Sequence, residues 1–320
     1  ISASGNLSFK NFDEISRELD GYEAAGARWL RFNFFWAQIQ HCGPTEYDWA
    51  PYDHIVKEAT ARGLRILGII AYAPPWANPL AVSGDPYPPL VAADYGRFAR
   101  ATAQRYAPLG VRHWEIWNEP NTAEFWRPMP NVEEYFQLLK EGYQAIKGVD
   151  PDATVMIGGL TRAADDSMNI SPVTFLRRLY ELGAAPFFDA VGWHPYSAPG
   201  GPTEETLYGN AWRELSEARK VMEKSGDGGT KIWLTEYGFA TGGADGSPWK
   251  VSEERQASLL KEAYGLAGTY SWAGPLFWYT YRDAGGDPND AQNFFGIVRN
   301  DFSPKPAFFT YQSIAGGAGR

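Results

Sequence analysis

Several features that would point to a particular kind of protein are scarce or missing here. The 320 residues include one cysteine, Cys42, so no disulfide can form within the chain and the redox compartment stays open. There is no run of 18 apolar residues, so no membrane-spanning helix is predicted. Acidic residues outnumber basic ones by 38 to 29, and the net charge of −9 argues against nucleic acid or an anionic membrane surface as a partner.

The sequence also lacks the motifs of several kinds of site. The stretches "GAGR" and "GGADG" do not stand between a strand and a helix, so they do not predict a phosphate-binding turn. No serine or cysteine stands at a predicted strand end with a base beside it. His41 and Cys42 are adjacent, but they have no partners at ligand spacing. We therefore predict no metal site and no organic cofactor.

The beginning of the chain bears on its location. No signal peptide is recognisable, and the opening "ISASGN" resembles sequence from the middle of a domain. We therefore expect that a leader has been removed and that the protein is secreted or belongs to the cell envelope. A cytoplasmic location stays open.

Apolar runs of strand length alternate with segments of helical spacing along the whole chain. The predicted strands are 28–36, 64–73, 111–117, 153–159, 188–196, 231–238 and 274–283. The predicted helices are 13–27, 48–63, 92–110, 131–150, 171–184, 211–226, 252–268 and 305–317. If residues 1–5 end a first strand, there are eight of each. This alternation implies parallel strands with helical crossovers, and it predicts an α/β protein with a single (β/α)8 TIM barrel over residues 1–320. An open doubly wound sheet is the alternative.

Two apolar runs end on a carboxylate. The stretch "HWEIWNEPN" (113–121) reaches Glu119 after the predicted fourth strand, and "KIWLTEYGFA" (231–240) reaches Glu236 at the end of the seventh. Catalytic groups of barrels lie at the C-terminal ends of strands, so the two acids are expected to form a pair. Glycoside hydrolysis needs such a pair, one carboxyl protonated and the other ionised.

The aromatic content suits the same chemistry. The chain has 13 Trp and 18 Tyr, and aromatic rings can pack on the apolar faces of sugars. Other predicted strand ends offer Arg31, Asn33, Tyr72, Trp76, Asn118, His194, Tyr196, Trp278 and Asp283. The sequence therefore predicts an oligosaccharide or polysaccharide as the substrate.

The sequence resembles a clan of retaining (β/α)8 glycoside hydrolases over essentially its whole length. The resemblance rests on "WNEPN", "TEYG", "WHPY" and "LFWY". Within the clan, "WEIWNEPN", "APPWA" and "FGIVRNDFSPKPAFF" are most similar to family thirty-nine and its relatives, or to a family-five cellulase-like enzyme. The resemblance implies hydrolysis of O-glycosidic bonds, expected to be β-linked, through a covalent glycosyl-enzyme.

The resemblance also implies roles for individual residues. Glu119 would be the general acid/base and Glu236 the nucleophile. Asn118 would bond the 2-hydroxyl of the attacked sugar, whereas Arg31 and Tyr196 would bond Glu236 and keep it ionised. His194 and Trp278 would line the substrate subsite. Apart from the resemblance, Trp76 and Trp126 are expected to offer further ring faces to the sugar. For Arg31, a purely structural ion pair with Glu115 inside the barrel is the alternative.

Two other functions are compatible with these residues. A transglycosylase would use the same carboxylates and pass the sugar to a hydroxyl instead of water. A non-catalytic barrel that binds a glycan would be expected to lack one of the two glutamates, and both are present. We expect the protein to act as a monomer.

Overall fold

The computed structural model describes residues 1–3, 7–207 and 209–317. Within these residues, the strands form one sheet of seven, in chain order. The strands are β1 (Trp29–Phe35), β2 (Arg65–Ala71), β3 (His113–Ile116), β4 (Thr154–Thr161), β5 (Ala190–His194), β6 (Lys231–Tyr237) and β7 (Ala273–Trp278). Each pairs in parallel with the next, which confirms the predicted α/β class. The predicted fourth and seventh strands are thus β3 and β6.

Helices connect the strands as predicted. They are α1 (Phe12–Ala24), α2 (Trp36–Ile39), α3 (Ala50–Ala61), α4 (Ala92–Tyr106), α5 (Val132–Lys147), α6 (Pro172–Glu181), α7 (Ala211–Lys224), α8 (Glu253–Ala267) and α9 (Pro306–Gly317). The short helix α2 was not predicted, because a single turn directly after a strand is too short to show helical periodicity. The other eight confirm the predicted helices, although most are slightly shorter than expected.

Capping side chains explain where several of these helices begin. The side chain of Asn131 accepts a hydrogen bond from the backbone N–H of Glu134 and caps the start of α5. Asn11, Ser171, Asn210 and Ser252 cap α1, α6, α7 and α8 in the same way. Just after the C-terminal end of α3, Gly63 has a φ of 71°, a left-handed conformation that suits glycine and stops the helix.

The interior of the sheet holds a small apolar cluster separate from the main core. Its buried members come from five different strands, and they are Leu67, Met156, Ala190, Trp233 and Phe277. Side chains from strands that are not neighbours in the sheet meet in this cluster because the sheet is curled. Above it, toward the C-terminal ends of the strands, the interior is polar and includes the buried side chains of Arg31, Glu115 and Thr235.

Residues 1–3 lie between the two outer strands of the sheet. Ser2 forms a parallel bridge to Arg31 in β1 and another to Tyr279, directly after β7. The backbone N–H of Ser2 donates to the carbonyl of Trp278 at 2.9 Å, and that of Ala3 donates to the carbonyl of Arg31 at 2.8 Å. The predicted first strand, residues 1–5, is therefore seen as this bridge; residues 4 and 5 lie outside the described residues.

A search of the described helices for one long and apolar enough to cross a bilayer finds none.

Candidate active site

The turn after β3 places Glu119 at the C-terminal edge of the sheet. Trp117 has a φ of 70° and Glu119 a φ of 45°, both in the left-handed region that non-glycine residues avoid. Each residue held in such a conformation costs on the order of 1–3 kcal/mol of conformational free energy, and such residues are concentrated at functional sites. The backbone thus turns sharply around Asn118, and both Asn118 and Glu119 face a cavity at this edge.

The cavity is also bordered by Glu236, from the end of β6. Its volume is about 520 Å³, within the range of sites for small molecules. The side chains of Glu119 and Glu236 are 11% and 13% exposed, enough for a ligand to reach them and little enough for burial to affect their pKa values. A carboxylate oxygen of Glu119 and one of Glu236 lie within 4.8 Å of each other.

The surroundings of Glu236 favour its ionised form. The hydroxyl of Tyr196 donates to Glu236 Oε2 at 2.8 Å, and Arg31 Nη1 donates to Glu236 Oε1. Burial works to raise the pKa of Glu236, but His194, Arg31 and Tyr196 together outweigh it and hold the pKa below its usual range. Both contacts expected from Arg31 and Tyr196 are therefore present.

The surroundings of Glu119 act in the opposite direction. Burial raises the pKa of Glu119 above its usual range, although a hydrogen bond with His194 offsets part of the effect. His194 Nε2 faces Arg31 Nη2 at 3.2 Å, and an arginine N–H can only donate. The proton of the imidazole is therefore on Nδ1, which donates to Glu119 Oε1 at 2.7 Å. The two carboxyl groups thus have pKa values shifted in opposite directions.

Arg31 joins these groups into one network. Its side chain is buried, and its Nε donates to Glu115 Oε2 at 2.7 Å while Nη2 donates to Asn118 Oδ1 at 3.1 Å. The two alternatives for Arg31 are thus both present: a buried ion pair with Glu115 and a contact with Glu236. The bond to Oδ1 also orients the amide of Asn118, which borders the cavity with its NH2 as the remaining group.

Glu119, His194 and Glu236 are the one group in the described residues whose potential metal-binding atoms converge, within 4.8 Å. These atoms already bind one another and the cation of Arg31, which would repel a metal ion. The arrangement suits acid–base chemistry by the two carboxyl groups better than metal binding. The absence of a metal and of a cofactor stays a prediction.

Three residues expected to contact a ligand are placed differently by the structure. His194 has no exposed surface and supports the two carboxyl groups from below instead of bordering the cavity. Trp278 is also fully buried and packs its ring edge-on against Tyr237, at 5.8 Å between centroids. Trp126 is 1% exposed and packs between Trp117 and Tyr135. The expectation that Trp278 and Trp126 offer ring faces to a ligand is wrong, because both are core residues.

Trp76 is half-buried and lies outside the cavity. Its indole N–H donates to the carbonyl of Gln40 at 2.8 Å, and its ring packs edge-on against Trp36. The predicted role of Trp76 in binding is therefore not supported by its position, since a neighbouring turn already holds the ring.

Most of the aromatic wall of the cavity comes instead from residues that the sequence did not single out. Trp249, between β6 and α8, stands edge-on to Tyr196 with ring centroids 5.2 Å apart, and Tyr279 and Phe295 lie beside it. Tyr72, after β2, completes the wall on the other side. The position of Trp249 in the loop that follows the strand of Glu236 was the available signal.

Parallel strands joined by helices, with two carboxyl groups paired at their C-terminal edge, are typical of α/β glycosidases. The family described as Glycosyl hydrolases family 39 matches residues 95–280. The chain belongs to this family, which decides between the two families that the sequence resembles.

Individual relatives agree with the family. The chain is 38% identical over 248 residues to a β-xylosidase of Caldicellulosiruptor saccharolyticus, covering 72% of this chain and 48% of that protein. It is 25% identical over 230 residues to a β-xylosidase of Geobacillus stearothermophilus, covering 67% and 44%. The chain therefore spans about half the length of these relatives.

A solved structure gives the same result. A family 39 glycoside hydrolase of Bacteroides cellulosilyticus superposes with a TM-score of 0.74 at 25% identity, covering 94% of this chain and 60% of that one.

The burial of the tryptophans leads to a first prediction. Trp126→Ala should lower the free energy of unfolding by about 3–5 kcal/mol, since it empties a large volume in the core. Trp249→Ala, at the cavity wall, should lower the free energy of unfolding by about 1 kcal/mol or less. Urea unfolding followed by circular dichroism measures both. A larger loss for Trp249→Ala than for Trp126→Ala would show that these positions are assigned the wrong way round.

Proposed function

We propose that this protein is a retaining β-glycosidase that cleaves O-glycosidic bonds by double displacement. The observation that carries the proposal is the pair formed by Glu119 and Glu236, with oxygens within 4.8 Å and pKa values shifted in opposite directions. Retaining enzymes hold their carboxyl groups about 5–5.5 Å apart, whereas inverting enzymes need roughly 6.5–9.5 Å to admit a water. The spacing favours direct attack by a carboxylate.

In the first step Glu236, ionised, attacks the anomeric carbon of the sugar. The bond from that carbon to the glycosidic oxygen breaks, and Glu119 donates its proton to the departing oxygen. Glu119 suits this role because burial raises the pKa of its carboxyl group and so favours the protonated form. The product of this step is a covalent glycosyl-enzyme on Glu236 and a free leaving group.

In the second step Glu119, now ionised, takes a proton from water. The water oxygen attacks the anomeric carbon and the bond to Glu236 breaks, which returns both carboxyl groups to their starting states. Arg31 and Tyr196 stabilise the departing Glu236 carboxylate with the hydrogen bonds that they already donate to it. The amide of Asn118 would contact the 2-hydroxyl of the sugar.

The substrate class follows from the relatives and the cavity. Both curated relatives named above are β-xylosidases, so β-linked xylosides are the first substrates to test. The aromatic rings of Trp249 and Tyr279 would pack on the sugar. Transfer to a sugar hydroxyl remains the alternative outcome of the second step, because the same covalent intermediate precedes it.

We further propose that the strand position at Ser2 completes an eight-stranded barrel. The parallel bridges of Ser2 to β1 and to Tyr279 support this, because they join the two outer strands of the sheet through one segment. A single domain over residues 1–320, a monomer, the lack of a nucleic-acid partner and a location outside the cytoplasm stay predictions.

Replacing Glu236 and replacing Glu119 should impair activity in different ways. Glu236→Ala should be inactive on every substrate, because it cannot form the covalent bond. The rate of Glu119→Ala on substrates with poor leaving groups should be about 10²–10⁴-fold lower than that of the wild-type protein. This variant should still form the glycosyl-enzyme from a dinitrophenyl glycoside, and azide should then speed turnover and yield a β-glycosyl azide, because azide needs no deprotonation.

Asn118→Ala is the control for this experiment, since it alters the neighbouring residue without removing a carboxyl group. It should slow the reaction without rescue by azide. If azide rescues Glu236→Ala with an inverted product and leaves Glu119→Ala unchanged, the two roles are exchanged. A silent barrel would be indicated if the wild-type protein bound glycans but hydrolysed none.

The pH dependence of kcat/KM should reflect the two shifted pKa values. As pH rises, kcat/KM should increase when Glu236 ionises, at a pKa below the usual glutamate range, and decrease when Glu119 loses its proton, at a pKa above it. Initial rates on an aryl glycoside across the acid and neutral range measure both limbs. Glu119→Ala, assayed on a dinitrophenyl glycoside, should lose the basic limb; a basic limb that persists would assign it to another group.

A further inference from the structure

Glu115, in the middle of β3, has no exposed surface and does not border the cavity. Both oxygens of its carboxylate are nevertheless occupied. Oε2 accepts from Arg31 Nε at 2.7 Å, and Oε1 accepts from the backbone N–H of Gly159 at 2.7 Å and from the hydroxyl of Thr235 at 3.1 Å. These donors come from β1, β4 and β6, so one carboxylate ties together three strands besides its own.

The space around Glu115 is shaped for it. A Cβ on Gly192, in β5, would lie 3.0 Å from Glu115 Oε1 and 2.6 Å from the carbonyl oxygen of Ile157. The missing side chain at Gly192 therefore leaves room for the carboxylate. Burial and three hydrogen bonds hold the side chain of Glu115 in place, and its bond to Arg31 Nε orients the guanidinium.

The charges explain why that orientation matters. The guanidinium of Arg31 stands between two carboxylates, Glu115 on its Nε side and Glu236 on its Nη1 side. Burial acts to lower the pKa of Arg31, but Glu115 and Glu236 outweigh it and raise the pKa, so the group stays a cation. The positive charge that Glu236 experiences therefore depends on how much of it Glu115 already balances.

We propose that Glu115 is a positioning residue for the nucleophile: it fixes the Arg31 guanidinium against Glu236 and balances part of its positive charge. The proposal rests on the proposed glycosidase function and deepens it. Without Glu115, Glu236 would be the one carboxylate paired with Arg31. It would then be stabilised more strongly as an anion and would be a weaker nucleophile toward the sugar.

Other charged or titratable groups also face Glu236, and the test must leave them in place. They are Arg31 from β1, Tyr72 after β2, Glu119 after β3, His194 and Tyr196 at the end of β5, and Tyr279 after β7. Glu115→Gln changes none of them. It keeps the size of the side chain, removes the charge and replaces one acceptor oxygen with an NH2 donor.

The experiment compares Glu115→Gln with the wild-type protein in the pH profile of kcat/KM on an aryl glycoside. The acidic limb should move to lower pH by about one unit, because Glu236 no longer shares the positive charge of Arg31 with Glu115 and its pKa falls. The rate on the plateau should fall about tenfold or more through kcat, with KM little changed, because Glu115 does not touch the cavity.

Glu18→Gln is the matched control. Glu18 is also fully buried and also accepts from a cation, Lys10 Nζ at 2.5 Å, and from the hydroxyl of Tyr22 at 3.2 Å, but it lies on α1 away from the cavity. This variant should lose stability and keep the wild-type pH profile. If Glu115→Gln behaves in the same way, or if its acidic limb moves up, Glu115 is a structural residue and the proposal is wrong.

Two further measurements cover other outcomes. If Glu115→Gln does not fold, Glu115→Asp is tested in its place; it keeps the charge but draws Arg31 back by one methylene. A reduced kcat with an acidic limb near that of the wild type supports the proposal. A wild-type kcat overturns it. If the wild-type protein hydrolyses no glycoside, the proposed function fails. The titration of Glu236, followed by carbon-13 NMR of labelled glutamate and assigned with Glu236→Gln, still decides: the pKa must be lower in Glu115→Gln than in the wild type.

Discussion

The site depends on one buried cation. Arg31 donates to Glu115 in the interior of the sheet and to Glu236 at its edge, and it also contacts Asn118 and His194. A buried guanidinium is tolerated only when carboxylates and acceptors surround it, so the strands that supply them must keep their register. The same cation lowers the pKa of Glu236 but has no direct bond to Glu119, whose pKa is raised by burial. One interaction thus contributes both to the packing of the sheet interior and to the opposite pKa shifts of two otherwise identical side chains.

The general architecture and the two carboxylates could be predicted from the sequence because parallel α/β proteins follow strong rules. Buried parallel strands appear as continuous apolar runs, and their C-terminal ends meet at one edge, so two acids that end such runs must lie close together. Helix caps such as Asn131 and Gly63 are local and could also be recognised. The pairing of Ser2 with both outer strands could not be predicted in detail, since a strand of a few residues leaves almost no periodicity.

The binding residues were harder to predict because burial depends on the packing of the complete fold. Trp126 and Trp278 stand close to motif residues in the sequence, yet their rings point into the core. Trp249 lies in a loop without periodicity and nonetheless forms part of the cavity wall. His194 follows its strand as expected, but it serves the two carboxyl groups as a hydrogen-bond partner and is not exposed to a ligand. The sequence indicated which strand ends place polar side chains near the cavity, whereas the direction of each side chain could be seen only in the structure.

The central claim is that Glu236 becomes covalently bound to the sugar while Glu119 transfers protons. The most direct test uses a 2-deoxy-2-fluoro glycoside of a sugar that the enzyme hydrolyses, with a dinitrophenyl leaving group. The fluorine slows both steps, whereas the activated leaving group speeds only the first, so the glycosyl-enzyme accumulates. Mass spectrometry of the intact and digested protein locates the label. The account predicts one sugar per chain, attached to the peptide that contains Glu236. A label on Glu119, or no label together with a product of inverted anomeric configuration, would contradict it.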